Sequence, residues 1–328
     1  MTLAFAAFTR RGEDLARRLA EAFGGTVTRI DKETPLSAWT AQAFLAAEGL
    51  VFVGAVGIAV RAIAPHLRYK TTDPAVVSVD EGGRFAIPLV SGHLGGANAL
   101  ARRLAAYLGA TPVITTATDG RGLFAVDSWA KAQGCLVREP ERIKCVSAKV
   151  LDGAPVRLRC PWPIAGAQPP EIDRTEEADC DAAVTLYQEE NAALHLTPKA
   201  LTLGVGCRRG TPQDTLEMAF QTLLQERNFA PEAFVQAASI DLKANEPGLL
   251  AFCAAHGWAL QTYSAEELAQ VPGDFTPSPF VAQVTGVDNV CERAAVRASG
   301  GQLIQNKRKG AGVTVAVALA PLHFDWRW

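Results

Sequence analysis

Apolar runs and amphipathic segments alternate along the first 115 residues of the chain. Residues 2–8 form a first apolar run, and residues 12–23 place Leu15, Leu19 and Phe23 on one helical face. The same alternation predicts further strands over 26–30, 50–53, 75–79, 85–90 and 112–115, and helices over 36–47, 58–67 and 94–108. Strands that are apolar along their whole length are typical of a parallel sheet covered by helices on both faces. The amino-terminal part is therefore predicted to be a doubly wound α/β domain.

The pattern changes near residue 140, where five prolines between 155 and 170 interrupt the alternation and short strands are predicted over 156–159, 182–187 and 193–196. From residue 199 the alternation resumes, with strands predicted over 201–205, 235–240, 258–262 and 313–319 and helices over 211–226, 247–256 and 287–299. The predicted fold class is α/β, with two doubly wound, mostly parallel domains joined by a small β-containing connector. The predicted boundaries are 1–140, 141–198 and 199–328.

Composition narrows the class of protein further. Of 328 residues, 48% are hydrophobic and 20% charged, which is typical of a folded globular chain. The net charge of −2 argues against a nucleic-acid binder, which normally needs a basic face. The longest apolar stretch, Gly49 to Val60, is shorter than the roughly 20 residues that cross a bilayer, and no signal peptide is evident, so no membrane partner is expected.

Cysteine usage indicates a reducing compartment. The seven cysteines are widely spaced and odd in number, which does not favour a disulfide framework. No CxxC or HxxxH spacing occurs, so no metal site is expected. These observations predict a cytoplasmic protein.

Four glycine-rich turns join a predicted strand to a predicted helix, the position where open α/β sheets bind ligands and where helix N-termini favour anions. The first is Gly54-Ala55-Val56-Gly57-Ile58-Ala59-Val60-Arg61. Gly57 would let a ligand approach the backbone, and Arg61, one turn into the predicted helix, would clamp a carboxylate. The alternative is a tight turn with a solvated arginine, since the motif is not a complete dinucleotide fingerprint.

The second turn, Ser91-Gly92-His93-Leu94-Gly95-Gly96-Ala97-Asn98, lies before a strongly amphipathic helix. A histidine near a helix N-terminus tends towards a lowered pKa, so a neutral His93 is a candidate general base. Ser91, Gly95, Gly96 and Asn98 are candidate substrate contacts. The alternative is a histidine that only hydrogen-bonds the backbone of its turn.

The third turn, Thr115-Thr116-Ala117-Thr118-Asp119, follows a predicted strand. Thr116 is a candidate substrate contact, and Asp119 would either orient His93 or cap a helix. Upstream, Lys70 and Asp73 add a cation and a carboxylate in the loop before a predicted strand. The alternative is an ordinary Asp-Pro turn with no role in the site.

The fourth turn, Gly204-Val205-Gly206-Cys207-Arg208-Arg209-Gly210-Thr211, places Arg208 and Arg209 where they could hold a carboxylate or phosphate. It lacks the Lys-Ser/Thr ending of a P-loop, which disfavours nucleotide hydrolysis. Thr211 is predicted to cap the helix that follows. Lys243 and Glu292 are lesser candidates for substrate binding.

Together these segments resemble the cobalt-precorrin-5A hydrolase family (CbiG) of anaerobic cobalamin synthesis. The strings that carry the resemblance are FVGAVGIAVRAIAPHLRYKTTDPAV at 52–76, IPLVSGHLGGANALARRLA at 87–105, VITTATD at 113–119, LGVGCRRGT at 203–211, SIDLKANEPGL at 239–249 and VTGVDNVCERAAV at 284–296. The last three are similar to a CobE-type domain.

The resemblance implies a reaction that opens a δ-lactone on a ring-contracted cobalt corrinoid and then releases acetaldehyde. Such chemistry needs an activated water, a donor for the developing oxyanion, and cations for the many substrate carboxylates. His93 is the expected base, Asp119 and Asp73 are orienting or second-base candidates, and Lys70 is the expected oxyanion or carboxylate partner. The cobalt arrives with the substrate, so no cofactor of the protein's own is expected. Transient contacts with neighbouring pathway enzymes stay open.

Three other functions remain open at this point. A non-catalytic corrinoid carrier would use the same basic turns without releasing acetaldehyde. A tetrapyrrole cobalt chelatase would use His93 with carboxylates, which a cluster containing one histidine disfavours. A nucleotide-binding regulator would use the glycine turns and would bind ATP or NAD.

Overall fold

Strands and helices alternate along the chain, and the described strands form three larger sheets and one two-stranded sheet. The structure, a computed structural model, describes residues 1–69, 72–189, 191 and 193–328, without the side chains of Thr118 and Asp119. The helices are α1 (Arg10–Phe23), α2 (Leu36–Ala46), α3 (Val56–Ile63), α4 (Ala97–Leu108), α5 (Ala117–Arg121), α6 (Val126–Ala132), α7 (Ile143–Leu151), α8 (Gln213–Arg227), α9 (Pro247–His256), α10 (Ala265–Ala269), α11 (Pro279–Thr285) and α12 (Cys291–Ser299). The strands are β1 (Leu3–Ala7), β2 (Thr26–Arg29), β3 (Gly49–Val53), β4 (Ala75–Val79), β5 (Phe85–Val90), β6 (Thr111–Pro112), β7 (Cys135–Val137), β8 (Val156–Arg159), β9 (Ile164–Ala165), β10 (Ile172–Arg174), β11 (Ala182–Val184), β12 (Leu194–Pro198), β13 (Leu201–Cys207), β14 (Phe234–Ile240), β15 (Ala259–Tyr263), β16 (Gln302–Gly310), β17 (Val313–Leu319) and β18 (Phe324–Asp325).

The amino-terminal sheet has the strand order β2-β1-β3-β4-β5-β6 and is parallel except between β4 and β5. Its central strands are buried on both faces. Phe5 and Val51 pack with residues of α1 and α4, whereas the alternate residues Leu50 and Phe52 pack with Trp39 and other residues of α2 and α3. Two apolar faces need two helical layers, which confirms the predicted doubly wound α/β domain.

The connector contains a second sheet in the order β10-β8-β11-β12-β7, parallel except for its β12–β7 edge. The predicted strands over 156–159, 182–187 and 193–196 correspond to β8, β11 and β12. A further short pair joins β9 to β18 near the end of the chain.

The carboxyl-terminal sheet has the order β15-β14-β13-β17-β16, with β13, β14 and β15 parallel and β17 and β16 antiparallel to their neighbours. Helices α8 and α9 cover one face, where Phe220 and Phe252 join the core, and α12 covers the other. A Cβ at Gly204 would lie 1.8 Å from the carbonyl oxygen of Cys291, so a glycine there allows α12 to pack directly against β13.

By its internal contacts the chain divides into two compact units, Met1–Ser128 with Ser147–Gly153, and Trp129–Val146 with Ala154–Trp328. Most of the connector belongs to the second unit in this division, and the boundaries at 140 and 198 stay predictions. Among the described residues, no helix has the length and apolar character needed to cross a membrane.

Candidate functional site

The β4–β5 hairpin determines which loops of the amino-terminal domain lie at the same edge of its sheet. The chain reverses between β4 and β5, so that Val76 pairs with Val90. The loop before β4, the loop after β5 and the segment after β6 consequently lie at the same edge of the sheet. Asp73 and the predicted site segments 91–98 and 116–119 belong to these three parts of the chain, so the topology places them at one edge.

Ser91 joins two of these loops directly. Its hydroxyl donates to the carbonyl oxygen of Asp73 at 2.9 Å. The carboxylate of Asp73 is buried and accepts the backbone N–H of Arg68 at 2.9 and 3.2 Å from its two oxygens. Asp73 therefore closes its own loop as well as bordering the His93 loop. Lys70, the expected oxyanion partner, lies outside the described residues.

The turn between β5 and α4 is crowded by its own backbone. Ser91 has φ 57°, the left-handed region that few non-glycine residues adopt, and Gly96 has φ 88°. A Cβ at Gly95 would lie 2.3 Å from the Cβ of Ser91, which is too close for any side chain. Gly95 and Gly96 thus have a conformational reason to be glycine, and their predicted contact with substrate stays a prediction. The helix predicted from Leu94 begins instead at Ala97, because Gly96 forms its left-handed N-cap.

His93 is held by a carboxylate that the sequence did not identify. Its Nδ1 lies 3.1 Å from Oδ2 of Asp127, and the two side chains are 19% and 9% exposed. The other oxygen of Asp127 accepts the backbone N–H of Ser128 at 2.9 Å. Because a carboxylate can only accept, the neutral imidazole donates its Nδ1 proton to Asp127 and carries its lone pair on Nε2. This pairing is typical of a general base oriented by an acid.

A second contact joins the same turn to the segment after β6. The Asn98 side-chain amide donates to the hydroxyl of Thr116 at 3.1 Å. The strand predicted over 112–115 ends at Pro112, and Asp119 lies within the short helix α5. The side chain of Asp119 is not described, so its roles as an orienting group or second base stay predictions.

The first glycine turn does not join this group. Gly57 follows β3, whose carboxyl end lies beside that of β4, at the edge opposite to Ser91. Arg61 was expected one turn into its helix, but it lies in the last turn of α3, which ends at Ile63 because Pro65 cannot continue it. Arg61 is exposed, and the strand directions place this turn away from the edge that carries His93.

The carboxyl-terminal domain gathers a second group of cations where its parallel strands end. Arg208 and Arg209 follow β13 and are exposed. Lys243 follows β14, and its Nζ lies 3.1 Å from Oε2 of Glu246. Oε1 of Glu246 accepts the backbone N–H of Gly210 at 2.6 Å, so this carboxylate ties the two loops together. The Lys243 ammonium, followed by the Gly210 N–H, lowers the pKa of the Glu246 carboxyl.

The helix after this turn begins differently from its prediction. Pro212 occupies the N-cap of α8, and Thr211 instead donates its hydroxyl to the carbonyl oxygen of Arg208 at 2.8 Å. Thr211 therefore closes the arginine turn. Cys207 is half-buried, and burial raises the pKa of its thiol, which favours packing over nucleophilic chemistry.

Glu292 is fully buried and engaged by its own domain. Its carboxylate accepts from the N–H and the hydroxyl of Thr276 at 2.7 and 3.0 Å, from the amide of Asn289 at 2.7 Å, and from the N–H of Lys307 at 2.6 Å. Four donors satisfy the lone pairs of a carboxylate. Glu292 thus fastens two loops, and its predicted contact with substrate stays a prediction.

Asp127 is the residue that sequence reasoning missed. It follows the buried run Phe124-Ala125-Val126 directly, as an acid at the end of an apolar segment. The same signal drew attention to Asp119 only eight residues earlier. Sequence spacing alone does not show that Asp127 reaches His93, because the path of the chain between the two residues determines it.

Comparison with known proteins covers most of the chain. Residues 38–119 match the family model "Cobalamin synthesis G N-terminal", and residues 201–318 match "Cobalamin synthesis G C-terminus". The His93 turn lies in the first match and the Arg208 turn in the second.

Similar curated proteins extend the match beyond these two domains. A protein of Priestia megaterium named cobalt-precorrin-5A hydrolase is 36% identical over 296 residues, which is 84% of this chain and 79% of that protein. A Salmonella typhimurium protein of the same name is 36% identical over 85% of this chain and 84% of its own length. The protein CobE of Sinorhizobium sp is 33% identical over 121 residues, or 36% of this chain and 79% of its own.

Proposed function

The chain belongs to the cobalt-precorrin-5A hydrolase family, and from this membership we propose that it opens the δ-lactone of cobalt-precorrin-5A and releases acetaldehyde, giving cobalt-precorrin-5B. The observation that carries the chemistry is the His93–Asp127 pair at the edge of the amino-terminal sheet. The substrate is a cobalt corrinoid, and the cobalt belongs to that substrate. All seven cysteines are free thiols, which supports a reducing, cytoplasmic location.

In the first step His93 Nε2 takes a proton from a water molecule, and the resulting hydroxide attacks the lactone carbonyl carbon. The positive charge that forms on the imidazole is stabilised by Asp127 through Nδ1. Collapse of the tetrahedral intermediate breaks the C–O bond of the lactone, and the His93 imidazolium returns its proton to the leaving oxygen. The products are a hydroxyl group and a carboxylic acid, which ionises to a carboxylate, and His93 is neutral again. We propose that Lys70 stabilises the oxyanion of this intermediate.

The second step is a retro-aldol cleavage. A base removes the proton of the newly released hydroxyl, its oxygen forms the carbonyl of acetaldehyde, and the C–C bond breaks. The electron pair of that bond goes to the macrocycle carbon, which takes up a proton. His93 serves again as the base, with Asp119 as the second candidate. Because the Asp73 carboxylate already accepts the Arg68 N–H, we favour loop closure over proton transfer for Asp73.

Cations of the carboxyl-terminal turn are proposed to bind acetate and propionate side chains of the corrinoid. Arg208 and Arg209 are exposed and follow a parallel strand, where a planar guanidinium can hold a carboxylate with two hydrogen bonds. Lys243 is paired with Glu246, so it would serve mainly to position the turn. Loss of Arg208 would then weaken corrinoid binding by about 1–3 kcal/mol.

The test is single-turnover release of acetaldehyde from cobalt-precorrin-5A by the wild type and by His93→Ala. Removing a general base slows such a reaction by about 10²–10⁴-fold, so the variant should bind the corrinoid but release acetaldehyde far more slowly. His66→Ala, in the same domain, is the matched control and should behave as the wild type. Corrinoid binding without any acetaldehyde from the wild type would contradict the proposal and favour a carrier. A His93→Ala rate within threefold of wild type would remove His93 from the mechanism.

A further inference from the structure

The connector sheet carries a row of polar side chains on one face. Arg159 on β8 pairs with Ala183 on β11, and Ala183 pairs with His195 on β12. Directly after the next strand, β7, Arg138 donates its backbone N–H to the carbonyl oxygen of His195 at 3.0 Å, which continues the pairing of β7 with β12. Directly paired residues of a sheet project to the same face. Arg159 and Arg138 therefore lie on either side of His195 along this row.

Part of this row is held by two glutamates. His195 is 1% exposed, and its Nδ1 and backbone N–H each lie 2.9 Å from a carboxylate oxygen of Glu139. The Arg159 guanidinium pairs with Glu189, whose other oxygen accepts the hydroxyl of Thr185 at 3.0 Å. These contacts fix the positions of His195 and Arg159 without using all of their hydrogen-bonding groups.

Several buried polar atoms of the row have no hydrogen-bond partner among the described residues. They are Nε and Nη2 of Arg138, Nε of Arg159, Nε2 of His195 and Oγ1 of Thr197. Thr197 lies two residues beyond His195 on the same strand, so it shares that face. Each of these groups can donate a hydrogen bond, His195 when it is protonated. Leaving such donors buried without an acceptor costs about 1–3 kcal/mol each.

The pattern of these donors indicates the kind of acceptor they suit. Nε and Nη2 of Arg138 form one complete edge of a guanidinium, the fork that binds two oxygens of a carboxylate or phosphate. Arg138 lies near Glu139 and Arg159 pairs with Glu189, so the open hydrogen bonds, and not an excess of charge, indicate an acceptor here.

We propose that this face of the connector binds a small oxyanion, held by the fork of Arg138 with Arg159, His195 and Thr197 as further donors. The site is reached from the partly exposed side, where the Arg159 and Glu139 side chains are 22% and 24% exposed. The anion accepts hydrogen bonds from the donors that the chain leaves open. The proposal is independent of the reaction proposed above, and its test uses no corrinoid.

The test follows the ring nitrogens of His195 by NMR in the full chain labelled with ¹⁵N-histidine. The chain has five histidines, so His195→Gln identifies the resonance. Inorganic phosphate and acetate are titrated separately at an ionic strength kept constant with chloride. We expect a saturable shift of the His195 Nε2 signal with at least one of them, and the tighter of the two distinguishes a tetrahedral from a planar anion. No shift with either anion up to about 50 mM, the weak end of specific binding, would overturn the proposal.

Variants of Arg138 distinguish the two-pronged geometry of its guanidinium from the effect of its positive charge. Arg138→Lys keeps the charge but removes the fork, and it should weaken anion binding at least about tenfold. The matched control is Arg157→Gln, two residues from Arg159 on the same strand, whose guanidinium is already paired with Glu177 and Asp179 at 2.7 and 3.2 Å. It should bind the anion as tightly as the wild type. Arg138→Met removes the buried Nε–H and Nη2–H donors altogether, so this variant should show no thermal stabilisation by the anion. Wild-type affinity in Arg138→Lys would also overturn the assignment.

Discussion

His93 and Asp127 lie 34 residues apart in the chain, yet Nδ1 of the histidine and Oδ2 of the aspartate are separated by 3.1 Å. Asp127 touches the base and not the reacting atoms, so it is a positioning residue. Its carboxylate selects the tautomer that carries the lone pair on Nε2. It also favours the imidazolium that forms when the water is deprotonated.

Asp127→Asn is expected to slow acetaldehyde release by about 10- to 100-fold, because an amide can donate to Nδ1 and so stabilise the wrong tautomer. Corrinoid affinity should change little. The measurement is single-turnover release over a series of pH values, together with ¹⁵N-histidine spectra, in which Nδ1 of His93 should lose its proton to Nε2. Asp127→Glu should recover part of the rate. An unchanged rate and tautomer in Asp127→Asn would leave Asp127 with a structural role alone.

Gly57→Ala is expected to leave the reaction unchanged. Gly57 lies within α3, a Cβ there would meet nothing within 4 Å, and it follows β3 at the edge opposite to His93. The alanine should raise the free energy of unfolding by about 0.5–1 kcal/mol through its higher helix propensity. Urea unfolding and single-turnover kinetics measure the two effects. A loss of rate in a stabilised variant would instead place the corrinoid against the backbone of Gly57, as its sequence motif suggests.

Glu292→Gln should destabilise the carboxyl-terminal domain by about 2–4 kcal/mol, since an amide nitrogen would face donors that now meet a carboxylate oxygen. The four contacts to Thr276, Asn289 and Lys307 are the basis for this value. Urea unfolding measures it, and Glu232→Gln, at an exposed position, is the control and should stay within about 0.5 kcal/mol. Corrinoid affinity of the folded variant should match wild type. Lower affinity at full stability would support contact between Glu292 and the substrate.

The stability of the connector should depend on pH through Glu139. Partial burial raises the pKa of its carboxyl, but the hydrogen bonds from the backbone and ring of His195, with the nearby Arg138 charge, outweigh this and leave the pKa below its ordinary value of 4.5. A lowered carboxyl pKa contributes stability above the unfolded value, and this contribution is lost as pH falls through the folded value. The difference in unfolding free energy between wild type and Glu139→Gln, measured with urea, should therefore be present above pH 4.5 and shrink as the pH falls below it. A difference that does not shrink in acid would contradict this role of Glu139.

The sequence predicts the strands and helices more accurately than the strand directions and the contacts between loops. The spans 75–79, 85–90 and 247–256 were predicted as they occur, because apolar patterns and capping residues are local signals. The apolar pattern does not give the direction of β5, so the sequence groups Gly57 with loops that the structure places at the other edge of the sheet. His93, Ser91, Asp73 and Thr116 were brought together as expected. Asp127 was missed because its contact is made through a short helix whose path no periodicity specifies.

Crowding in the turn from Ser91 to Gly96 also has a consequence for how this family diverges. Gly95 is required by the Cβ of Ser91, and Gly96 by its left-handed backbone, so both should persist in any descendant that keeps the fold, whether or not it keeps the reaction. His93 and Asp127 are under no such steric constraint. In a lineage that lost the reaction these two side chains would drift first while the glycines remained. Joint retention of His93 and Asp127 is therefore the better marker of a working enzyme than the glycine motif around them.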